Sequence, residues 1–464
     1  MKYVLVFFLL CITSFSVIAA EKEEVELTIY NQNFALVKDK RFFNFGRGIN
    51  VLSFRDVASQ IEPTSVHFSS LTAPGACTIL EQNYEYDLVS SKKLLSKYID
   101  NRISVLLEDG RIYEGDLLSQ DDSTLILKTS EGLRMISWQD NIRQILFEKL
   151  PKDLITKPTL VWSIDSQKKG RHLAEVSYLT KGISWNCEYV VVLDKDDENI
   201  DLDGWVSINN QSGASYEDAG LKLIAGDVKR AQEQVEYRRK GMMQDFVMKT
   251  ASAPQFQEKT FFEYHMYALG RKTTLKDNQT KQVSLLNAFS VPTKKELIFD
   301  LSRVRTYRSD TETIEGKVRV ELVLQNSKDN NLGMPLPQGK VKVYKKDHDQ
   351  SLQFIGEDAI KHTPKDEEIR LHIGDAFDVT GKRTRKSYRR ENKTARESFE
   401  IELKNHKDKV VTVKVNEKMW RYANWQILES SDKWKKIDAS TIEFNVNLKK
   451  DQEKKLTYTV KYWW

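Results

Sequence analysis

Apolar and polar side chains alternate along most of this chain. Val25, Leu27 and Ile29 occupy every second position, and Phe34, Leu36 and Phe42 continue the pattern. Period two places such residues on one face of a β-strand. Gly46 and Gly48 precede "INVLSF" and predict a hairpin turn. Pro63 interrupts, and "TSVHFSSL" resumes as strand, with His67 read as a surface or packed residue. Residues 21–90 are therefore expected to form a small antiparallel β-sandwich.

The period changes once. Leu94, Leu95, Tyr98 and Ile99 recur at helical spacing, with Ser90 or Ser91 as the N-cap. Alternation then returns through residue 150. Asp109-Gly110 and Asp121-Asp122-Ser123 mark tight turns. Gly115 interrupts a strand where a strongly bent sheet needs a residue without Cβ. Five short strands with these turns resemble an Sm-like or SH3-like small barrel over 91–150. The Asp-x-Asn and Arg-Gly residues with which Sm proteins grip RNA are missing at the corresponding turns, so the module is read as structural or protein-contacting.

Beyond Pro151 and Pro158, "TLVWSI", "HLAEVSYLT", "ISWNCEYVVVLD", "LDGWVSINNQS" and "LKLIAG" predict more sandwich strands over 151–228. Residues 229–260 lose the alternation and read as a flexible linker or long loop, with Met242, Met243, Phe246 and Val247 as an apolar knot. Strands return over 261–464. Within them, "GMPLPQGKVKVYKKD" packs prolines and glycines ahead of alternating Val and Lys. A phosphate loop would lead into a helix; here a strand follows, so the stretch is a bend. The fold class is thus mainly β: multidomain antiparallel β-sandwiches with one small Sm/SH3-like β-barrel.

Composition sets the compartment. Residues 1–20 carry Lys2, an apolar run from Val4 to Leu10 and small residues Val17, Ala19 and Ala20, the pattern of a signal peptide. Export to the periplasm or outside is expected, with no transmembrane span in the mature chain. The formal charge of +5 falls by one when Lys2 is removed, and this near balance gives no global field for nucleic acid. Cys77 and Cys187 then remain. They are a candidate disulfide in an oxidising compartment or, equally, two buried thiols.

Candidate chemistry is sparse. The run 382–393 holds Lys382, Arg383, Arg385, Lys386, Arg389 and Arg390, either an anion grip or a solvated hairpin guarding an edge. Asn199, Asp201, Asp203 and Gly204 match part of a calcium loop, but Asn210 stands where the bidentate Glu belongs. His348 and His362 lie near acids without close ligand spacing. No HExxH, GxSxG, phosphate loop or dinucleotide fingerprint occurs, so no cofactor or metal is expected and no catalytic residue is assigned.

Several stretches carry a resemblance. "LTIYNQNFALVKDKR", "GWVSINNQSGASYEDAGLKLIAGDV", "EYHMYALGRKTTLKDNQTKQVSLL" and "GMPLPQGKVKVYKKD" together resemble the bacterial domain-of-unknown-function 4139 family, across nearly all of the mature chain. The C-terminal region is similar to that of the mucoidy inhibitor proteins, without their long coiled coil. The resemblance implies an exported, mostly β bacterial protein and transfers no catalytic residues. Its most recognisable polar stretch is Thr274, Lys276, Asp277, Asn278 and Gln279. The expected function is a non-catalytic binding or scaffold protein of the cell envelope, with an envelope protein or polysaccharide as partner. The competing expectation is an envelope-acting hydrolase whose site assembles from distant loops.

Overall fold

The computed structural model describes residues 21–87, 90–138, 142–149, 151, 154–226, 228–230, 255–301, 313–347, 349, 351–419, 421–422 and 424–464. The predicted signal peptide, most of the predicted loop 229–260, and His348 lie outside the described residues. Two units divide the chain: Met1–Ser184 with Asn209–Lys222 and Lys272–Gln279, and Trp185–Ile208 with Leu223–Arg271 and Thr280–Trp464.

In the first unit the alternating segments become strands β1 (Glu21–Tyr30), β2 (Phe34–Phe45), β3 (Gly48–Arg55), β4 (His67–Ser70) and β5 (Cys77–Glu85). Val25, Leu27 and Ile29 are all buried, as their period requires. After an intervening segment come β11 (Thr159–Ser166) and β12 (Gly170–Lys181). These two strands complete the N-terminal sheets. β11 lies antiparallel between β3 and β5, and β12 lies antiparallel between β2 and β4. The segment 21–90 is therefore not self-contained. Trp162 of β11, fully buried, packs against Phe54 and Phe68 from β3 and β4, and its indole N–H donates to Gln82 Oε1 at 2.8 Å.

The segment between β5 and β11 is an insertion with its own core. Helix α1 (Ser91–Lys97) is capped by Ser90, whose side chain accepts from Lys93 N. Strands β6 (Arg102–Leu107), β7 (Ile112–Gln120), β8 (Thr124–Thr129), β9 (Gly132–Ser137) and β10 (Ile142–Phe147) follow. They form one sheet in the order β10-β6-β7-β8-β9. Leu95, Val105, Leu117, Leu125 and Leu127 fill its core. A Cβ on Gly115 would sit 2.5 Å from the Lys128 carbonyl oxygen, so the bend in β7 does require glycine there.

The second unit is built from longer strands. Chain order gives β13 (Ile183–Leu193), β14 (Asn199–Asn210), β15 (Tyr216–Ala225), β16 (Phe256–Phe261), β17 (Tyr264–Leu269), β18 (Thr273–Leu275), β19 (Gln279–Asp300), β20 (Thr313–Gln325), β21 (Gly339–Lys346), β22 (Leu352–Ile360) and β23 (Glu368–Glu391). Some of these, such as β15 and β18, belong wholly or partly to the first unit. The chain ends with β24 (Thr394–Asn405), β25 (Val411–Lys418), β26 (Asn424–Ser430), β27 (Trp434–Lys436), β28 (Thr441–Leu448) and β29 (Glu453–Trp463). The end of the predicted loop, from Phe256, is strand β16, paired with β17.

In the C-terminal part of this unit, β20-β23-β24-β29-β26 run side by side, and β25 pairs in parallel with β19 and antiparallel with β28. Phe399, Ile401, Val413, Phe444, Leu456 and Val460 form the core. Alternation thus buries one face of β24 and β29 and leaves the other in solvent. Among the described residues no helix is long and apolar enough to cross a membrane.

Candidate functional site

The basic run lies on β23, between β20 and β24. Period two splits it. Arg383 and Arg385 point into the core, where Arg383 meets Glu417 at 2.9 Å and Arg385 meets Glu397 at 3.4 Å. Arg383 also stacks over Phe399, 4.0 Å from the ring centroid. Arg421 reaches the same Glu397 at 2.8 Å. Burial opposes the charge on Arg383, but the neighbouring Glu417 carboxylate prevails and holds its proton above the usual range. The outward members are engaged as well. Lys382 pairs with Glu402, Lys386 with Glu400 and Arg389 with Glu391, while Arg390 lies over Trp464. The six cations, read from sequence as either an anion grip or a solvated hairpin, are therefore divided between core and surface. Two hold the core together, and the carboxylates opposite β23 neutralise much of the rest.

Of the outward members, Lys386 borders a polar groove on the open face of the sheet. Ser398 of β24 and Thr459 of β29 are cross-strand neighbours with hydroxyls 2.9 Å apart. Glu400 and Thr457 form the next row. β26 bulges between Ile427 and Glu429, and the chain leaves the strand in a turn at Ser431 and Asp432. Ser431 fastens this turn: its N–H donates to the Thr457 carbonyl and its hydroxyl accepts from Thr457 N, both at 2.9 Å. The result is a cavity of about 370 Å³ lined by Lys386, Ser398, Glu400, Glu429, Ser430 and Thr459, among others. Further along the same sheet, Glu315, Lys317, Thr380, Lys382, Glu402 and Lys404 line a second cavity of about 430 Å³. Hydrogen bonding from Lys382 leads the causes that hold the Glu402 carboxyl below its ordinary range. Trp463, 40% exposed, stands at the other end of the face, flanked by Thr394 and Asn424. The groove offers donors and acceptors in alternation, with hydroxyls at its floor and one carboxylate on each side of β29.

The polar stretch 274–279 does a different job. Asp277 Oδ1 accepts from Gly213 N at 2.9 Å, and Asp277 N donates to Ser215 Oγ at 3.0 Å. Thr274 Oγ1 accepts from Asp218 N. Gln279 Oε1 accepts from Lys276 N, and Asn278 donates to Asp277 Oδ2. Asn210, fully buried, donates to the carbonyls of Ala214 and Lys276. These side chains fasten the 210–218 loop.

The remaining candidates fall on structural ground. Asn199, Asp201 and Asp203 lie on strand β14, not in a loop; Asp203 accepts from Asn287 Nδ2, and Asp201 from Ser290 N. Among the described residues no group of three acids, cysteines or histidines could hold a metal. The carbonyls of Pro335 and Pro337 accept from the hydroxyls of Tyr267 and Tyr189, which pins the proline bend. His265 pairs with Glu258 at 2.8 Å, so neither it nor Asp277 is free of local partners. Cys77 and Cys187 are both free thiols. Cys187 is buried, and Cys77 lies beside Ser166 and His172. That histidine, 95 residues from the cysteine, escaped sequence reasoning because no local spacing connects the two.

A family model described as Domain of unknown function (DUF4139) matches residues 174–464. No curated protein matches the chain.

Proposed function

The chain belongs to the domain-of-unknown-function 4139 family, and from that premise we propose that it is an exported, non-catalytic binding protein of the cell envelope. Its open C-terminal face would hold a hydroxyl-rich polymer, a polysaccharide of the envelope. The observation that carries the reading is the groove over β24, β29 and β26. Ser398, Thr459, Glu400 and Lys386 present mixed donors and acceptors there, which suits sugar hydroxyls better than a dense anion. A half-exposed Trp463 on the same face supplies an apolar plane for a ring to stack on.

The test is co-sedimentation of the full chain with purified, insoluble envelope polysaccharide. A Ser398→Ala/Thr459→Val double variant should lose most of the bound fraction while unfolding at the same temperature as the parent. Equal binding by a folded double variant would remove the groove from the reading.

One observation favours a second reading. Glu400 and Glu429 face the groove from strands on either side of β29, and paired carboxylates are what glycoside hydrolysis uses. Release of new reducing ends from the same polysaccharide, lost in Glu400→Gln, would convert the binder into a hydrolase.

A further inference from the structure

Cys77 opens β5 at the edge of the first unit, and its register partner on β11 is Ser166. Its Sγ lies 3.5 Å from Ser166 Oγ and 3.8 Å from Nδ1 of His172, a residue of β12 only 3% exposed. Cys77 itself is half-buried. Packing of the β3-β11-β5 sheet against the sheet that holds β12 thus brings a partly accessible thiol against a buried imidazole, and nothing in the polymer groove uses either.

The proton inventory around the sulfur is short. The Ser166 hydroxyl donates to the Lys168 carbonyl at 2.7 Å, so its hydrogen is committed. Ser70 Oγ accepts from Ala73 N at 3.1 Å and lies 3.1 Å from His172 Nδ1. Its own hydrogen is free to point at Nδ1, and the step proposed below uses the tautomer in which Nδ1 is the acceptor. The same lone pair faces the thiol. The charged neighbours on adjoining strands do not compete for it. Asp165 lies one residue along β11 from Ser166, on the opposite face of the strand; Lys168 takes part through its carbonyl; Arg171 lies over the Phe42 ring. Phe45 covers the imidazole edge-on at 5.1 Å.

We propose that Cys77 and His172 form a thiol-exchange site that takes a low-molecular-weight disulfide and leaves Cys77 in a mixed disulfide. In the step, Nδ1 of His172 accepts the thiol proton, and the thiolate pair attacks one sulfur of R–S–S–R. The Cys77–S–S–R bond forms as the old S–S bond breaks, and the leaving thiolate takes its proton from His172. Cys77 is oxidised and half of the incoming disulfide is reduced, so no other oxidant is needed. Imidazole activation of a neighbouring thiol supplies the nucleophile near neutral pH. Cys187 is the internal control, since it is 1% exposed and burial pushes its thiol up to about 12.

The test treats the native full chain with dithiobis(nitrobenzoic acid), itself a disulfide, and follows release of the coloured thiolate from pH 5.5 to 9. Peptide mapping should place the adduct on Cys77 and leave Cys187 unmodified. His172→Gln should slow the reaction clearly near neutral pH, where the imidazole takes the thiol proton, and the two rates should draw together toward pH 9, where hydroxide takes it instead. Ser70→Ala, which removes the competing hydroxyl, should speed it. An unmodified Cys77 in the native chain overturns the proposal. So does a folded His172→Gln variant with the parent's rate and pH profile. If that variant does not fold, a Ser70→Ala rate equal to or below the parent's decides against it.

Discussion

Arg383 and Glu417 face each other inside the C-terminal sandwich, Nε to Oε2 at 2.9 Å, with side chains only 5% and 3% exposed. The Arg383 Nε–H has no aligned hydrogen-bond acceptor, so the contact is mainly one of charge. Tyr458 adds a direct hydrogen bond, its hydroxyl donating to Glu417 Oε2 at 2.5 Å. Burial pushes the Glu417 carboxyl above its ordinary range, and Arg383 works against that rise. Arg383→Met should therefore destabilise the protein by about 3–5 kcal/mol at pH 7, the usual penalty for leaving one buried partner alone.

The same pair predicts a pH dependence. A carboxyl whose folded pKa is raised contributes stability below its unfolded value, and that contribution is lost as pH rises through the folded value. Without Arg383 the folded value climbs further, so the loss grows. Urea unfolding of parent and Arg383→Met at pH 4 and pH 7 should show the larger gap at pH 7. An equal gap at both values would mean that Glu417 does not feel Arg383.

Three buried asparagines occupy equivalent strand ends. Asn210 donates to Ala214 O and Lys276 O and accepts from Ser212 N. Asn326 donates to Met334 O and Pro364 O and accepts from Gly333 N. Asn405 donates to Lys409 O and Lys449 O and accepts from Lys407 N. Each amide ties its own loop to a second one. Each Asn→Ala change leaves buried backbone groups unpaired and should cost about 1–3 kcal/mol or more. Denaturant midpoints should fall by similar amounts in all three, whereas an exposed strand control such as Asn445→Ala, whose amide meets only the Glu443 carboxylate, should barely move.

Gly213 should tolerate no side chain. Its φ is +81°, and a Cβ there would lie 1.8 Å from Ser59 Oγ. Ser59 cannot simply turn away, because its hydroxyl donates to the Ser212 carbonyl. Gly213→Ala should lower the unfolding temperature, and Ser59→Gly in the same chain should restore part of the loss. Failure of the second change to rescue would leave backbone strain alone as the cause.

Period-two alternation made the strands legible, from Val25 in β1 to Tyr462 in β29, because one buried face dictates which positions are apolar. The Ser90 cap and the Gly115 bend were legible too, since each is fixed by a local backbone requirement. Arg383 and Arg385 were not. A run of cations reads as surface, and only the carboxylates of Glu417 on β25 and Glu397 on the neighbouring β24 make their burial tolerable. Nor does any local signal reveal that β11 and β12 complete sheets begun by β3 and β2. Packing between two sheets brings His172 to Cys77, and the non-local pairing of β24 with β29 brings Ser398 to Thr459.

The inserted five-stranded module carries its own acid signature. Asp121 Oδ1 accepts from the Ser123 hydroxyl, the Ser123 N–H and the Thr124 N–H, each at 2.7 Å. Those bonds, the Ser123 hydroxyl first among them, lower the carboxyl to about 2. A depressed carboxyl contributes stability above its unfolded value, near 3.9, and loses it as pH falls through the folded value. The turn between β7 and β8 should thus loosen between about pH 4 and pH 2. An NMR titration of Asp121 should give a midpoint near 2 in the parent and a higher one in Ser123→Ala, where the hydroxyl donor is gone. In Asp121→Asn the amide oxygen can still accept from both backbone N–H groups but carries no titrating charge. Turn amide shifts in that variant should stay flat across the window; a parent-like step there would assign the titration to another group.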